Sequence, residues 1–356
     1  MGKQEVVDYV MNSPHNTNRG VLSTLLNSIA EGINLPEVTS EDNGKVLTVV
    51  EGNWSAAMNN LVNGSTNGSV RGINTQEEDN NYTIGKNAIA QGNATKAVGS
   101  ASHAEGFQTE ALSSSSHAEG SKTRAFGVSS HAEGKRVSDT IVIDEITYNY
   151  GATGEASHSE GYNTIAFGEY AHAEGASTKA IGKYSHAEGS ITQAMNPCSH
   201  AEGAETKATN SYSHVEGYQS KATGMTSHAE GRGTEAIGGN AHSEGYNTKA
   251  SGSHAHAEGA STSAEGNASH AEGSGTIAKH RSQHVFGAFN VEDASTATSD
   301  YNGTYIEIVG NGTSKQVRSN ARTLDWDGNE WLAGTLTLGQ TTITEAQLQA
   351  LLELLN

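Results

Sequence analysis

The sequence predicts a mainly β fold, built as a repetitive solenoid in place of a globular core, and three observations predict it. The tripeptide His-x-Glu recurs twelve times, at intervals of 14 residues with one exception. Within each 14-residue unit, small residues alternate with large or polar ones in two short runs separated by turn residues. Finally, 34% hydrophobic residues, 6% aromatics and 42 glycines leave little from which to build a conventional core of 356 residues. A helical alternative fails because each interior glycine costs about 1 kcal/mol and no apolar stripe of period 3.6 compensates. The strict repeat likewise argues against the disorder that low hydrophobicity alone suggests.

The repeat is carried by twelve pairs: His103 and Glu105, His117 and Glu119, His131 and Glu133, His158 and Glu160, His172 and Glu174, His186 and Glu188, His200 and Glu202, His214 and Glu216, His228 and Glu230, His242 and Glu244, His256 and Glu258, His270 and Glu272. The interval from His131 to His158 is 27 residues, one repeat plus a 13-residue insertion that contains the strand-like run TIVIDEITYNY at 140–150. That run predicts a protruding hairpin or flap. Stepping 14 residues outward reaches Ile89 before His103 and His284 after His270, so both ends carry degenerate units, as expected of caps.

Two strands per coil is the natural reading of one unit, such as 185–198. Side chains alternate faces along a strand. Ser185, Ala187 and Gly189 therefore share one face, and His186 and Glu188 the other. In the second run Thr178, Ala180 and Gly182 fall together. With both small faces inward, two sheets enclose a thin interior. The threonine column, including Thr109, Thr178 and Thr276, then points inward, which disfavours an ice-binding ladder. Burial of Ala, Ser and Gly at about 25 cal/mol per Å² leaves such a coil marginal alone, so a partner surface is expected.

Composition excludes several classes. Forty carboxylates against 21 basic residues give a net charge of −19, which argues against a nucleic-acid partner. The single cysteine, Cys198, forms no intrachain disulfide and supplies no metal-ligand pair; it is expected as a small buried filler. The opening residues MGKQEVV lack an apolar h-region, and no stretch reaches the ~18 apolar residues of a spanning helix, so neither Sec export nor membrane insertion is expected.

The units resemble the head repeats of trimeric autotransporter adhesins, most closely at Asn87-Ala-Ile-Ala-Gln-Gly92 and Thr95-Lys-Ala-Val-Gly99, over about residues 85–290. That family implies a left-handed parallel β-roll assembled as a homotrimer. It also implies that the twelve His/Glu pairs occupy the positions facing the trimer axis, where the family has large apolar residues. Each layer then holds a ring of three His and a ring of three Glu. No membrane-anchor barrel is expected after the roll, and the ends resemble proteins of bacteriophage and prophage particles. Residues 1–60, with a helical face of Val21, Leu22, Leu25, Leu26 and Ile29 and a strand–turn–strand run through Asp42-Asn-Gly-Lys-Val-Leu-Thr-Val49 to Trp54, resemble the N-terminal modules of head and tail fibres. Residues 291–340 resemble C-terminal segments of tail proteins.

These likenesses imply the following organisation: a particle-docking module over 1–60, a linker over 61–84, the roll over 85–290 with its insertion near 135–155, a β segment over 291–340, and a trimerising helix over 341–356. The helix is signalled by a capping box, Thr344 with Gln347, and a stripe of Leu348, Leu351, Leu352 and Leu355. The implied function is a structural appendage on the virion surface. Its expected partners are two further copies, other virion proteins, and a bacterial surface receptor or glycan, with contact through Asp139 to Tyr150 or the outward residues of the second strands. The other classes weighed are a polysaccharide depolymerase and a bacterial surface adhesin.

Repeated His and carboxylate at i and i+2 raise Zn²⁺ or Ni²⁺ ligation as a possibility, but twelve equal copies fit a structural ladder better. No metal or cofactor is expected. Nor is catalysis, which needs a unique constellation. The irregular acids Asp139, Asp144, Glu145, Asp325 and Asp327 are read as surface or turn residues, and 325–329 as a turn in preference to a Ca²⁺ loop. Pairing with Glu is expected to raise the histidine pKa values, so that the assembly is stabilised below ~6.5 and loses that contribution as pH rises.

Overall fold

A computed structural model describes residues 84–338 apart from 144 and 300, residues 341–355, and short strands at 45–50, 53–58, 61–63 and 70–72. From Ile89 to Ala288 the chain winds a β-solenoid of fourteen coils. Each coil contributes a first strand, such as His172–Ala176, and every coil but the last a two-residue second strand, such as Lys179–Ala180. Every strand pairs in parallel with its equivalent one coil away, so His158 faces His172 and Ala166 faces Ala180. The two strand sets form two sheets, one of them 13-stranded.

Alternation decides which side chains enter the interior. Ser185, Ala187, Thr192 and Ala194 are buried, as are their equivalents along the roll. The threonine column is inside, which rules out a surface hydroxyl ladder. Each coil also turns two corners through left-handed residues, such as Tyr170 and Ser177, both at φ 58°. Such corners cost roughly 1–2 kcal/mol per non-glycine residue, and they persist because the parallel ladder fixes both flanking strands, for example through His172 N donating to Ser185 O at 2.9 Å. Cys198 sits at one of these corners, φ 56°, and is exposed, contrary to the buried filler expected of it. The corner side chains point outward, away from the alternating strand positions.

One interior column is glycine in most coils. A Cβ on Gly168 would lie 2.0 Å from the Gly182 carbonyl oxygen, and Gly154 stands in the same relation to Gly168. The coils therefore stack at contact distance along that line.

The insertion leaves the roll after the first strand His131–Lys135 and returns at Gly151–Ala152, which takes its place between Arg124–Ala125 and Ile165–Ala166. Between them Thr140–Ile143 and Ile146–Asn149 form an antiparallel hairpin. Its inner face packs Tyr148 and Tyr150 onto buried Ile165, with the Tyr148 ring edge-on to Phe167 at 4.9 Å. At its base Asp139 binds the Arg136 guanidinium and lies 3.3 Å from Arg124.

Before the roll, Lys45–Val50 pairs antiparallel with Asn53–Met58, and Leu61–Asn63 with Val70–Gly72. Val70–Gly72 also lies parallel to Ile89–Asn93. The stretch read as a linker thus contributes two strands that extend the first-strand sheet. The helix expected over 21–29 lies outside the described residues. After the roll, Tyr305–Asn311 adds in parallel to His284–Ala288, then Asn320–Asp325 and Glu330–Leu332 follow antiparallel. A small hairpin, Leu336–Leu338 with Thr341–Ile343, leads to the helix Glu345–Leu355. Its capping box forms: Thr344 N donates to Gln347 Oε1 at 2.9 Å, and Gln347 N to Thr344 Oγ1 at 3.3 Å.

Candidate functional site

The outward positions of the first strands assemble the His and Glu residues into two parallel columns on one face of the roll. Strand register sets the spacing, and the imidazoles stack face to face with centroids 4.6–5.0 Å apart from His103 to His284. Most neighbouring rings are nearly parallel, the largest tilt being 42° between His172 and His186. At nine of the ten histidines from His103 to His242, His214 being the exception, Nε2 lies within 4.0 Å of the carboxylate of its own coil, at 3.5 Å for Glu119 and 4.0 Å for Glu244. From His256 onward they approach the preceding coil's carboxylate instead, His270 lying 3.5 Å from Glu258. The sequence pattern locates all twelve pairs on this face; the rotamer change near Glu244 has no counterpart in it.

These contacts are ion-pair distances at which no hydrogen bond forms. The Nε2 atoms of His103, of each later ladder histidine and of His284, thirteen in all, are buried and have no hydrogen-bond partner among the described residues. Burial lowers the pKa of His103, His131, His158, His186, His200, His228 and His256, and the adjoining imidazoles lower it further. The glutamates act in the opposite sense but are outweighed. For these seven the expected upward shift is therefore reversed on a single chain: burial and the stacked imidazoles together outweigh the carboxylates. Burial together with Glu160 and Glu119 pushes the Glu133 carboxyl up for the same reason of like neighbours.

Several triplets, including His117/Glu119/His131 and His228/Glu230/His242, bring potential ligand atoms within 4.8 Å of one another. Their geometry is unfavourable to a shared ion. A metal takes an imidazole lone pair in the ring plane at about 2.0–2.1 Å, whereas rings stacked in parallel 4.6 Å apart, such as His117 and His131, direct their Nε2 lone pairs side by side. The lone pairs do not converge.

Two of the irregular acids, Asp139 and Asp325, have structural partners. Asp139 is held by Arg136 and Arg124. Asp325 accepts from the backbone N–H of Asp327 at 2.9 Å and of Asn329 at 2.8 Å, and from Asn329 Nδ2 at 2.8 Å, which keeps its carboxyl below the usual range. Glu145, φ 67°, turns the hairpin. Asp144 lies outside the described residues.

A cluster that sequence reasoning missed closes the end of the roll. In the last coil three interior columns switch from small to large polar residues: Gly266 gives way to His280, Ser269 to Gln283 and Thr276 to Asn290. All three are fully buried, together with Asp293. Gln283 Nε2 donates to Tyr305 O at 3.1 Å, while Asn290 Oδ1 accepts from Ile277 N at 2.8 Å and its Nδ2 donates to Ile277 O at 3.1 Å. Burial pushes the Asp293 carboxyl up, but the N–H groups of Tyr305 and Ser295 and the Thr304 hydroxyl bring it below its usual value. Where the next coil is missing, these amides supply the hydrogen bonds that it would have made. Simultaneous departure of three columns from small residues was the available signal.

No protein-family model and no curated protein matches the chain.

Proposed function

We propose that the chain is a structural fibre protein of a phage or prophage particle, assembled as a homotrimer through the His/Glu face and serving attachment to a bacterial surface. One observation carries the assembly: thirteen buried, unpartnered Nε2 atoms in a single column. An unsatisfied buried polar atom costs about 1–3 kcal/mol, so a column of them calls for an occupant that offers acceptors at the ~4.8 Å spacing of stacked strands. A second copy in parallel register offers that repeat, through its own glutamates. Three copies, not two, is the number that the resemblance to trimeric adhesin heads supports.

Repetition also favours a structural role over an enzymatic one, since the chemistry-bearing residues recur in every coil. Attachment rests on the resemblance of both ends to fibre and tail proteins, and docking onto the particle on residues 1–60. Light scattering on the purified chain tests the assembly. A mass of three chains, unchanged by chelator, is the expected result; a monomer would remove the proposed axis.

A further inference from the structure

We infer that the groove on the C-terminal sheet is a saccharide-binding site, with Trp331 as its stacking platform. The inference rests on the attachment reading and names the chemistry that attachment would use. The groove, about 620 Å³, lies beside the last coil and is lined by Tyr305, Asn320, Thr323, Asp325, Asn329 and Trp331, among others. Strand register explains why these residues meet: Trp331 lies opposite Thr323, and Tyr305 opposite Asp325, two residues further along the same strand and hence on the same face.

Two features give the groove its chemical character. Trp331 is 54% exposed, so a large aromatic face is left for an occupant. Beside it, the polar groups are fixed in place and retain unused valences. Asp325 Oδ1 accepts two backbone N–H groups, but Oδ2 accepts only Asn329 Nδ2. Among the described residues that leaves one acceptor site on Asp325, a donor and the carbonyl oxygen on Asn329, and the Tyr305 hydroxyl. Asn320 is held rigid by its bonds to the Val291 backbone, 2.7 Å from Val291 N to its Oδ1. An aromatic face flanked by a carboxylate acceptor, an amide and a hydroxyl matches a pyranose ring, whose C–H face is apolar and whose rim carries adjacent hydroxyls that both donate and accept. A purely apolar peptide would leave those polar groups without partners.

The test titrates the intact protein with methyl glycosides of hexoses, 6-deoxyhexoses and N-acetylhexosamines and follows tryptophan emission. At least one glycoside should shift the emission saturably. Trp331→Ala should weaken that binding by about tenfold or more, Asn329→Ala should also weaken it, and Trp326→Ala should retain it. No response to any glycoside, or a response that survives Trp331→Ala, overturns the inference. So does a change in the mass of the assembly on Trp331→Ala, which would assign the indole to contact between copies. Binding to whole bacterial cells separates this site from the attachment reading. Cells captured without competition by the responding glycoside would leave attachment standing and sink the groove; a saturable groove on a protein that captures no cells would do the reverse.

Discussion

Gly189→Ala puts the contact stacking of coils to a quantitative test. The residue sits at φ +107°, a conformation closed to L side chains, and an added Cβ would lie 2.1 Å from the Gly203 carbonyl oxygen. Backbone strain at such a φ costs about 1–3 kcal/mol. Relieving the collision requires the neighbouring coil to retreat by roughly 1 Å, which stretches the adjoining ladder bonds, each worth about 1 kcal/mol. Together these place the loss near 3–5 kcal/mol, against about 0.5 kcal/mol or less for Ser190→Ala, whose side chain is exposed on the next residue. Because each coil contacts chiefly its neighbours, the damage should be local as well as energetic. Urea unfolding with hydrogen exchange resolved by segment is the assay: protection should fall in the coils around 175–217 and persist at both ends of the roll. A variant that unfolds with the wild-type midpoint would refute the idea that the glycine columns set the stacking distance.

Asp293→Ala removes the acceptor for Tyr305 N and Ser295 N inside a buried cap and should cost about 2–4 kcal/mol. The loss should register as exchange in 305–311 before the central coils open, and uniform weakening of the whole roll would contradict the capping role. On a chain kept monomeric by dilution, the lowered histidine values make stability complete above ~6.5 and diminishing as pH falls through the lower folded values. Melting temperatures that rise on acidification of the monomer would show that carboxylates, not burial and neighbouring imidazoles, dominate the ladder.

The roll is legible because its two constraints are written in every unit. Ala173 and Thr178 must be small to let the sheets close, and the 14-residue step must be kept for strands to pair. Where one unit alone departs from the pattern, legibility drops. The final coil retains its His284, Val285 and Gly287, so it reads as a frayed repeat, although His280, Gln283 and Asn290 have turned it into a polar plug. Val70–Gly72 was obscured by the Asn, Gly and Ser around it, because a short strand held between two others draws its stability from the neighbouring backbone more than from its own propensity. The histidine shift on a single chain was not legible for a different reason. Sequence spacing places Glu188 two residues from His186, but only the fold buries the imidazole and stacks His172 against it.

That last point bears on how the fibre would assemble. A single chain carries twelve ladder glutamates, so three chains would bring 36 to a common axis, with Lys135 and Arg232 the cations on the same strands. With neutral histidines such an axis accumulates like charge at strand spacing, and removal of water strengthens the repulsion. Protons on the histidines cancel it layer by layer, and the same protons turn the unpartnered Nε2 atoms into donors for carboxylates of an adjacent copy. The trimer should therefore bind protons that the monomer does not. Its histidine pKa values would rise above those of the free chain, and its stability relative to monomer should be largest below the free-chain value and decline as pH increases through the raised one. Light scattering across pH 5 to 8 at fixed salt should show dissociation shifting to higher concentration as pH rises, the opposite sign from the monomer's own unfolding. Assembly that strengthens toward pH 8 would mean that the His/Glu face is turned to solvent and that the copies meet elsewhere.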